Sequence, residues 1–463
     1  MALISIVKLS ELEGAKRTDA EYYQPQHIDL VSRIKQHPTY TLRCMGCDVV
    51  SGPFGSSLKS EAYLSQGVPF IRIQNLLDFF IDKQDLVYIS AYDNERLRNS
   101  ELKTGDLVLS KVGNTIGVVS IVTEDIGNCN ISENNIGIRF PPGTPAPLKS
   151  YVLTFLNSEL GRQQILRRIS GNAQPKLNVR DISEMLISAP SEGLQTKVDD
   201  LIRDAKALVD LAAACYRNAE NLLLEELGLK DFHPKYELSY SASLSKAFGV
   251  HRVDAEYFQP CYENLVKHLT EAVEVKPLRY FLLDIKKGIE VGGEQYQEEG
   301  KAFVRVSNLS IHGLIERDQK YIDEELYEEL AEQYGPKMGE LLLTKDATPG
   351  VAFVVKELIE GVIAGGILRL SVDETRINKE YLALCINSLI GRLQIERDGG
   401  GSVIKHWRPE QIKKLAIPLS PSHTQQKIES LVRQSHEARR KARDLLEEAK
   451  RKVEQAIDEA SVN

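Results

Sequence analysis

Residues 19–25 read DAEYYQP, and residues 254–260 read DAEYFQP. The second string begins 235 positions after the first and differs from it at one residue. That period is far too long for a solenoid, so the fold turns on whether a whole module has been copied. Four further pairs keep the same order. GVPFIRIQNL (67–76) matches GKAFVRVSNL (300–309), and GDLVLSK (105–111) matches GELLLTK (339–345). YVLTFLNSELGRQQI (151–165) matches YLALCINSLIGRLQI (381–395), and QTKV (195–198) matches QQKI (425–428). Their offsets stay between 230 and 235, the drift that loop insertions cause.

The chain has 463 residues, more than the ~250–300 at which a single core stops growing. Two copies of one module satisfy that bound. Each copy opens with the DAEY string, and Pro25 and Pro260 then suit the first turn of a helix, where a missing N–H costs nothing. The helices are QHIDLVSRI (26–34) and CYENLVKHL (261–269). About 120 residues follow, dense in short apolar and β-branched runs such as PFIRI, DLVLS, GVVSIV and GIRF, or FVRVS, ELLLT and VAFVV. Turn residues separate these runs, which is the signature of strands. Around Tyr151 and Tyr381 the period becomes helical.

Each copy ends in a polar helix of about 35 residues, on the order of 50 Å long. In the first, Val198, Leu201, Ala205, Leu208, Ala212, Cys215, Ala219 and Leu222 alternate at steps of three and four, an a/d seam. The seam recurs 230 residues later as Ile428, Leu431, Ser435, Ala438, Ala442, Leu445 and Ala449, until Lys452 breaks it. Two matching seams in one chain pack most simply on each other, antiparallel, with a globular domain at each end. The expected class is α+β, with an internal pseudo-twofold repeat. The expected boundaries are a first domain at 1–190, a central helix at 191–228, a linker and second domain at 229–424, and a C-terminal helix at 425–463.

Composition is that of an ordinary globular chain, 42% hydrophobic and 27% charged. No apolar run approaches the ~18 residues that span a bilayer, and the N-terminus lacks the pattern of a secretory signal. A cytoplasmic protein without membrane contact is expected. The six scattered cysteines fit free thiols in a reducing compartment. Cys44 and Cys47 form a lone CxxC with no second pair, short of the four ligands zinc usually takes, so no metal is expected. The net charge of −8 disfavours a protein that coats nucleic acid, but local basic surfaces remain open.

Several longer strings carry a resemblance. They are SGPFGSSLKSEAYLSQGVPFIRIQNL (51–76), GDLVLSKVGNTIGVVSIV (105–122), SGNAQPKLNVRDISEMLISAPSEGLQTKV (170–198) and GGGSVIKHWRPEQIKKLAIPLSPSHTQQKI (399–428). In this order and duplication the chain resembles the specificity subunits of type I restriction–modification systems, along essentially its whole length. The resemblance implies two target-recognition domains held apart by two antiparallel, coiled-coil-like helices. It implies a subunit without catalysis that reads a split double-stranded DNA target, one half per domain. The helices would serve as a ruler and as a platform for two methyltransferase subunits, and restriction subunits can join that assembly. Methylation would fall on adenine N6, from S-adenosylmethionine held by the partner, with no cofactor on this chain.

The residues agree. There is no Gly-x-x-x-x-Gly-Lys-[Ser/Thr] loop, no His-Glu-x-x-His helix and no Gly-x-Ser-x-Gly elbow. Nor is there an Asn/Asp-Pro-Pro-Tyr/Phe string for an amino-methyltransferase. Residues 161–180 hold Arg162, Arg167, Arg168, Lys176 and Arg180 without an acid. The second copy offers Arg392, Arg397, Lys405, His406, Arg408, Lys413 and Lys414, diluted by Glu396, Asp398 and Glu410. Such cations supply the sequence-independent part of DNA affinity. Base edges are read by planar forks and amides, work that suits Asn172, Gln174 and Lys176, with Lys59, Lys111 and Asn114, and Lys345 and Thr348 as counterparts. Trp407, between His406 and Arg408, is a candidate for stacking, against the commoner fate of core packing. The 161–180 cluster reads alternatively as a solvated helix face, and the matched Arg72 and Arg305 as a structural ion pair. The reading loops diverge while the scaffold matches, so an asymmetric target is expected. A fused enzyme with unrecognised motifs, and a two-domain DNA-binding adaptor or regulator without a methyltransferase, are the competing readings.

Overall fold

In the computed structural model, residues 4–10, 12, 17–170, 175–315, 318–399 and 406–459 are described. Two compact units emerge: residues 1–209 with 440–463, and residues 210–439. Both boundaries fall inside the long helices, Glu192–Glu226 and Ser422–Glu459, so each unit owns a part of both. The class is α+β, with mixed sheets in both units.

In the first unit a five-stranded sheet runs in the order Asp48–Ser51, Asn135–Arg139, Leu107–Ser110, Val119–Ile121, Phe79–Phe80. Its middle strand, LVLS, is buried at all four positions, which explains an apolar run without alternation. The helix Ala146–Asn157 covers this sheet with Tyr151, Val152, Leu153, Phe155 and Leu156, all buried in one core with Leu107, Leu109 and Val119. A second sheet sets Val68–Ile71 antiparallel to Val87–Ile89 and parallel to Cys129–Ile131. A third pairs Thr39–Thr41 with Leu186–Ser188.

The second unit repeats this topology. Leu282–Lys287, Ile367–Val372, Leu341–Thr344 and Ala352–Val354 form one antiparallel sheet in the corresponding order. Lys301–Val304 lies antiparallel to Lys320–Ile322 and parallel to Gly361–Ile363. Glu274–Pro277 pairs with Ala416–Leu419. The duplication read from five short strings is therefore a duplication of strand order and direction.

The repeated DAEY string closes a corner. Arg17 is held by Asp19 at 2.6 Å and donates to the carbonyl of Arg168 at 3.1 Å, just past the helix Glu159–Arg167. Arg252 is held by Asp254 at 2.5 Å and donates to the carbonyl of Asp398 at 2.7 Å, near the end of the helix Leu389–Gly399. A cation at a helix C-terminus opposes the partial negative charge there. The tyrosine lies between two guanidinium groups in each copy. Tyr22 has Arg17 at 4.7 Å and Arg167 at 3.9 Å from its ring centre, and Tyr257 has Arg252 at 4.6 Å and Arg397 at 4.5 Å.

Both helix seams are legible in register but displaced at alternate positions. The buried residues are Val198, Ile202, Ala205, Ala212, Cys215, Ala219 and Leu223, and then Ile428, Val432, Ser435, Ala438, Ala442, Ala449 and Val453. Leu201, Leu208 and Leu222, and Leu431 and Leu445, are half-buried flanks of the same cores. The corrected stripe passes through Val453, so Lys452 does not break it. The helices bury a wider stripe than a strict two-helix seam because they pack on their unit's core as well as on each other. Within the first unit Val198, Ile202 and Ala205 share a core with Ala442, Ala449 and Val453. Within the second, Ala219 and Leu223 share one with Ile428 and Val432, and Ser435 Oγ donates to the Ala212 carbonyl at 2.7 Å. In each unit the pairing is antiparallel.

Candidate nucleic-acid interface

Lys111 and Lys345 follow the central strands Leu107–Ser110 and Leu341–Thr344, and the same backbone bonds fix both. Lys111 N–H donates to the Asn134 carbonyl at 2.9 Å, and its own carbonyl accepts from Leu177 at 3.0 Å. Lys345 N–H donates to the Gly366 carbonyl at 2.9 Å, and its carbonyl accepts from Trp407 at 2.8 Å. The loop after each strand is therefore tied to the polar segment near the module's end. Single bridges, Val112 to Lys176 and Asp346 to His406, complete each junction. Distant candidates in the sequence thus form one face per unit: Lys111, Asn114 and Lys176 in the first, and Lys345, Thr348 and His406 in the second.

The side chains on this face differ in how committed they are. Lys111 Nζ donates to Ser51 Oγ at 3.2 Å. Lys59, Asn114 and Lys176 are exposed. In the second unit Lys345 and His406 converge on Asp346, with His406 Nδ1 at 2.8 Å from its carboxylate. Burial pushes the Asp346 carboxyl up, but the hydrogen bonds from Lys345 and His406 outweigh it and hold the carboxyl below its ordinary value. Thr348, exposed, accepts from Thr344 Oγ1 through its carbonyl at 2.6 Å. The first unit offers free cations and an amide, whereas the second offers a partly neutralised cluster.

No protein-family model matches the chain, and no curated protein matches it in sequence. Among solved structures it is similar to the S subunit of a type I restriction–modification system from M. genitalium, at 12% identity and a TM-score of 0.40, over 90% of this chain and 95% of that one. It is similar to the HsdS subunit from Thermoanaerobacter tengcongensis at 14% identity and a TM-score of 0.27, over 90% and 96% of the two chains. A shorter match, 42% of this chain and 30% of the other, is to the type IIG restriction endonuclease BpuSI, at 11% identity and a TM-score of 0.29.

Three sequence candidates do not belong to the exposed face. Trp407 is 1% exposed, and its indole N–H donates to Asp398 at 3.0 Å; burial in turn raises the Asp398 carboxyl. The ring is core, with no face open to a base. Arg168 is 6% exposed, and its guanidinium donates to the carbonyls of Gln164 and Glu184 at 2.9 and 3.2 Å. Arg167 is spent on the corner, where Nε donates to the Tyr22 carbonyl at 2.6 Å. Arg162 is half-exposed and lies 3.8 Å from Asp78, and Arg408 is exposed. Asn172, Gln174 and Lys405 fall outside the described residues.

The matched Arg72 and Arg305 are structural. Each donates to the carbonyl of an aspartate thirteen residues on, Asp85 or Asp318, and each backbone N–H donates to the side chain of Asn75 or Asn308, at 3.1 and 3.2 Å. Among the described residues no group of three or more His, Cys, Asp or Glu gathers, and no helix is long and apolar enough to cross a membrane. Cys47 is a core residue whose burial pushes its thiol up to about 11.

Proposed function

We propose that this chain is the non-catalytic, sequence-reading subunit of a type I restriction–modification complex. Each unit would take one half of a bipartite double-stranded DNA target. Two methyltransferase subunits, and restriction subunits with them, would assemble on it, and S-adenosylmethionine would reside on the methyltransferase. One observation supports this reading above the rest: the two units share the order and direction of their main strands, yet present different exposed polar groups at corresponding positions. A scaffold copied with its contacts altered suits two unlike half-sites. Exposed Lys59 and Lys176 are of the type that holds phosphates, and Asn114 is of the type that reads base edges.

The test is co-expression with an adenine methyltransferase subunit of the type I class, sought first in the neighbouring reading frames, followed by mapping of methylated adenines. The expected result is methylation that depends on this chain and falls in an asymmetric motif of two blocks. A perfect palindrome, or methylation indifferent to this chain, refutes the proposal. The long helices would set the gap between the blocks. Deleting one heptad from each, about 10 Å of helix, should shorten that gap by about three base pairs, and an unchanged gap would remove the helices from that role.

A further inference from the structure

Superposing the hydrogen bonds of the two units aligns their faces residue by residue. Asn134 corresponds to Gly366, because their carbonyls receive Lys111 and Lys345. Gly52 corresponds to Gly288, because their N–H groups reach Asn135 and Ile367. Arg72 and Asn75 correspond to Arg305 and Asn308, which form the same turn. The turn residues Arg72 and Asn75 keep their identity across this alignment, and three exposed positions do not. Phe54, 83% exposed, stands where the second unit has Glu290; Gln74 stands where it has Ser307; Asn134 stands where it has Gly366.

In the first unit these three residues line one recess of about 310 Å³, with Arg72, Tyr63 and Glu133 on its wall, and the Glu133 carboxylate is committed there, accepting from the Gly55 N–H. The buried amides nearby spend their N–H donors on the scaffold. Asn75 donates to the carbonyls of Asp82 and Gln84, and Asn135 donates to that of Ile71. Among the described residues, the exposed side chains of Gln74 and Asn134 have no such partner, so their donors and acceptors remain available. In the second unit the same place is occupied by the Glu290 carboxylate. A Cβ added at Gly365 would fall 2.0 Å from its Oε1, so that carboxylate fills the space a side chain would need.

We propose that this rim is where each unit selects a base pair. The amides of Gln74 and Asn134 take adenine, with Phe54 against the methyl of thymine, and Glu290 accepts from the amino group of cytosine. The unit 1 block of the target then contains an A·T pair chosen at this rim, and the unit 2 block a G·C pair. This deepens the proposed function and rests on it.

The experiment maps methylation motifs for the complex with its methyltransferase. One variant, Gln74→Ser with Asn134→Gly, gives the first unit the groups of the second. The other, Glu290→Gln, is isosteric and exposed, and so keeps the test open if the first fails to fold. Each variant should relax or change one position in one block, with about tenfold loss of preference there, and leave the other block as it was. Retained methylation at an unchanged motif overturns the proposal. So does a uniform loss at an unchanged motif by a variant that melts like the parent chain, since a base-reading group acts at one position only. If the parent complex shows no motif at all, the functional reading itself fails, and that outcome is distinct from both.

Discussion

The string Asn-Ser-x-x-Gly-Arg-x-Gln-Ile, which recurs at 157–165 and 387–395, shows how much a residue pattern can encode. Asn157 donates to the Val119 carbonyl at 3.0 Å, and Asn387 to that of Ala352 at 2.8 Å, so each fixes a helix end to a strand edge. Gln164 donates to the Leu186 carbonyl and Gln394 to that of Ala416, at 2.9 and 3.0 Å, and each also accepts from the same residue's N–H. A Cβ at Gly161 or Gly391 would lie 2.1 or 2.0 Å from a backbone carbonyl, which forbids any other residue at this turn. Repetition flagged these positions, yet their partners were illegible because every bond reaches a strand distant in sequence. The corner tyrosines are similar. Their ring was visible as a repeat, but the two stacked guanidinium groups were not, and Arg167 was therefore read as a phosphate ligand. Replacing Tyr22 by alanine removes both cation contacts and should cost about 1–2 kcal/mol, read as a lower denaturant midpoint. The methylation motif should stay the same. A changed motif with unchanged stability would assign the corner to DNA instead.

At the level of elements, the long helices were placed well because their period is sustained over 35 and 38 residues. The seam was displaced because an a/d template assumes one partner, whereas these helices have two. The hairpin Leu309–Ser310 and Gly313–Leu314 had no signal at all, since two-residue strands carry no periodicity. It presents His312 to both long helices: Arg439 of the second meets His312 Nε2 at 3.0 Å, and Tyr216 of the first packs edge-on at 5.0 Å. His436 lies one turn away, against Phe353 at 5.8 Å. Burial, with Arg439 and His436 facing it, depresses His312 to about 3. Burial, with Lys356 and Arg439 facing it, depresses His436 to about 3, although a hydrogen bond with the His312 backbone opposes the shift. Both rings are neutral when folded and take protons near 6.5 when unfolded. Their contribution is therefore intact above pH 6.5 and is lost as pH falls toward 3. Each should cost about 1.4 kcal/mol per pH unit across that window. His312→Gln keeps an acceptor for Arg439 but cannot titrate, so it should remove about half of this slope in melts between pH 6.5 and 5. An unchanged slope would show that His312 takes no part in it.

For the whole molecule, the sequence made the duplication and the fold class clear, because order and offset are properties of the entire chain. It left the face unresolved, since that face is assembled from segments far apart in sequence and is held by backbone bonds that side-chain identity does not announce. Charge is the other property of the whole. The chain carries −8, and two of its candidate cations are committed internally, Lys345 to the Asp346 carboxylate and Arg167 to the corner. What remains exposed in the first unit includes Lys59 and Lys176. A chain of this balance should bind duplex DNA weakly by itself and more tightly once methyltransferase subunits contribute further phosphate contacts. Each phosphate contact adds about 0.9 to the slope of log affinity against log salt. Replacing Lys59 or Lys176 by alanine in the assembled complex should thus reduce that slope by about one per residue and weaken all sequences alike. Anisotropy titrations over a salt series, on matched and scrambled duplexes, measure both quantities. A loss confined to the matched duplex would move these lysines from phosphate contact to base reading, and an unchanged slope would take them off the DNA.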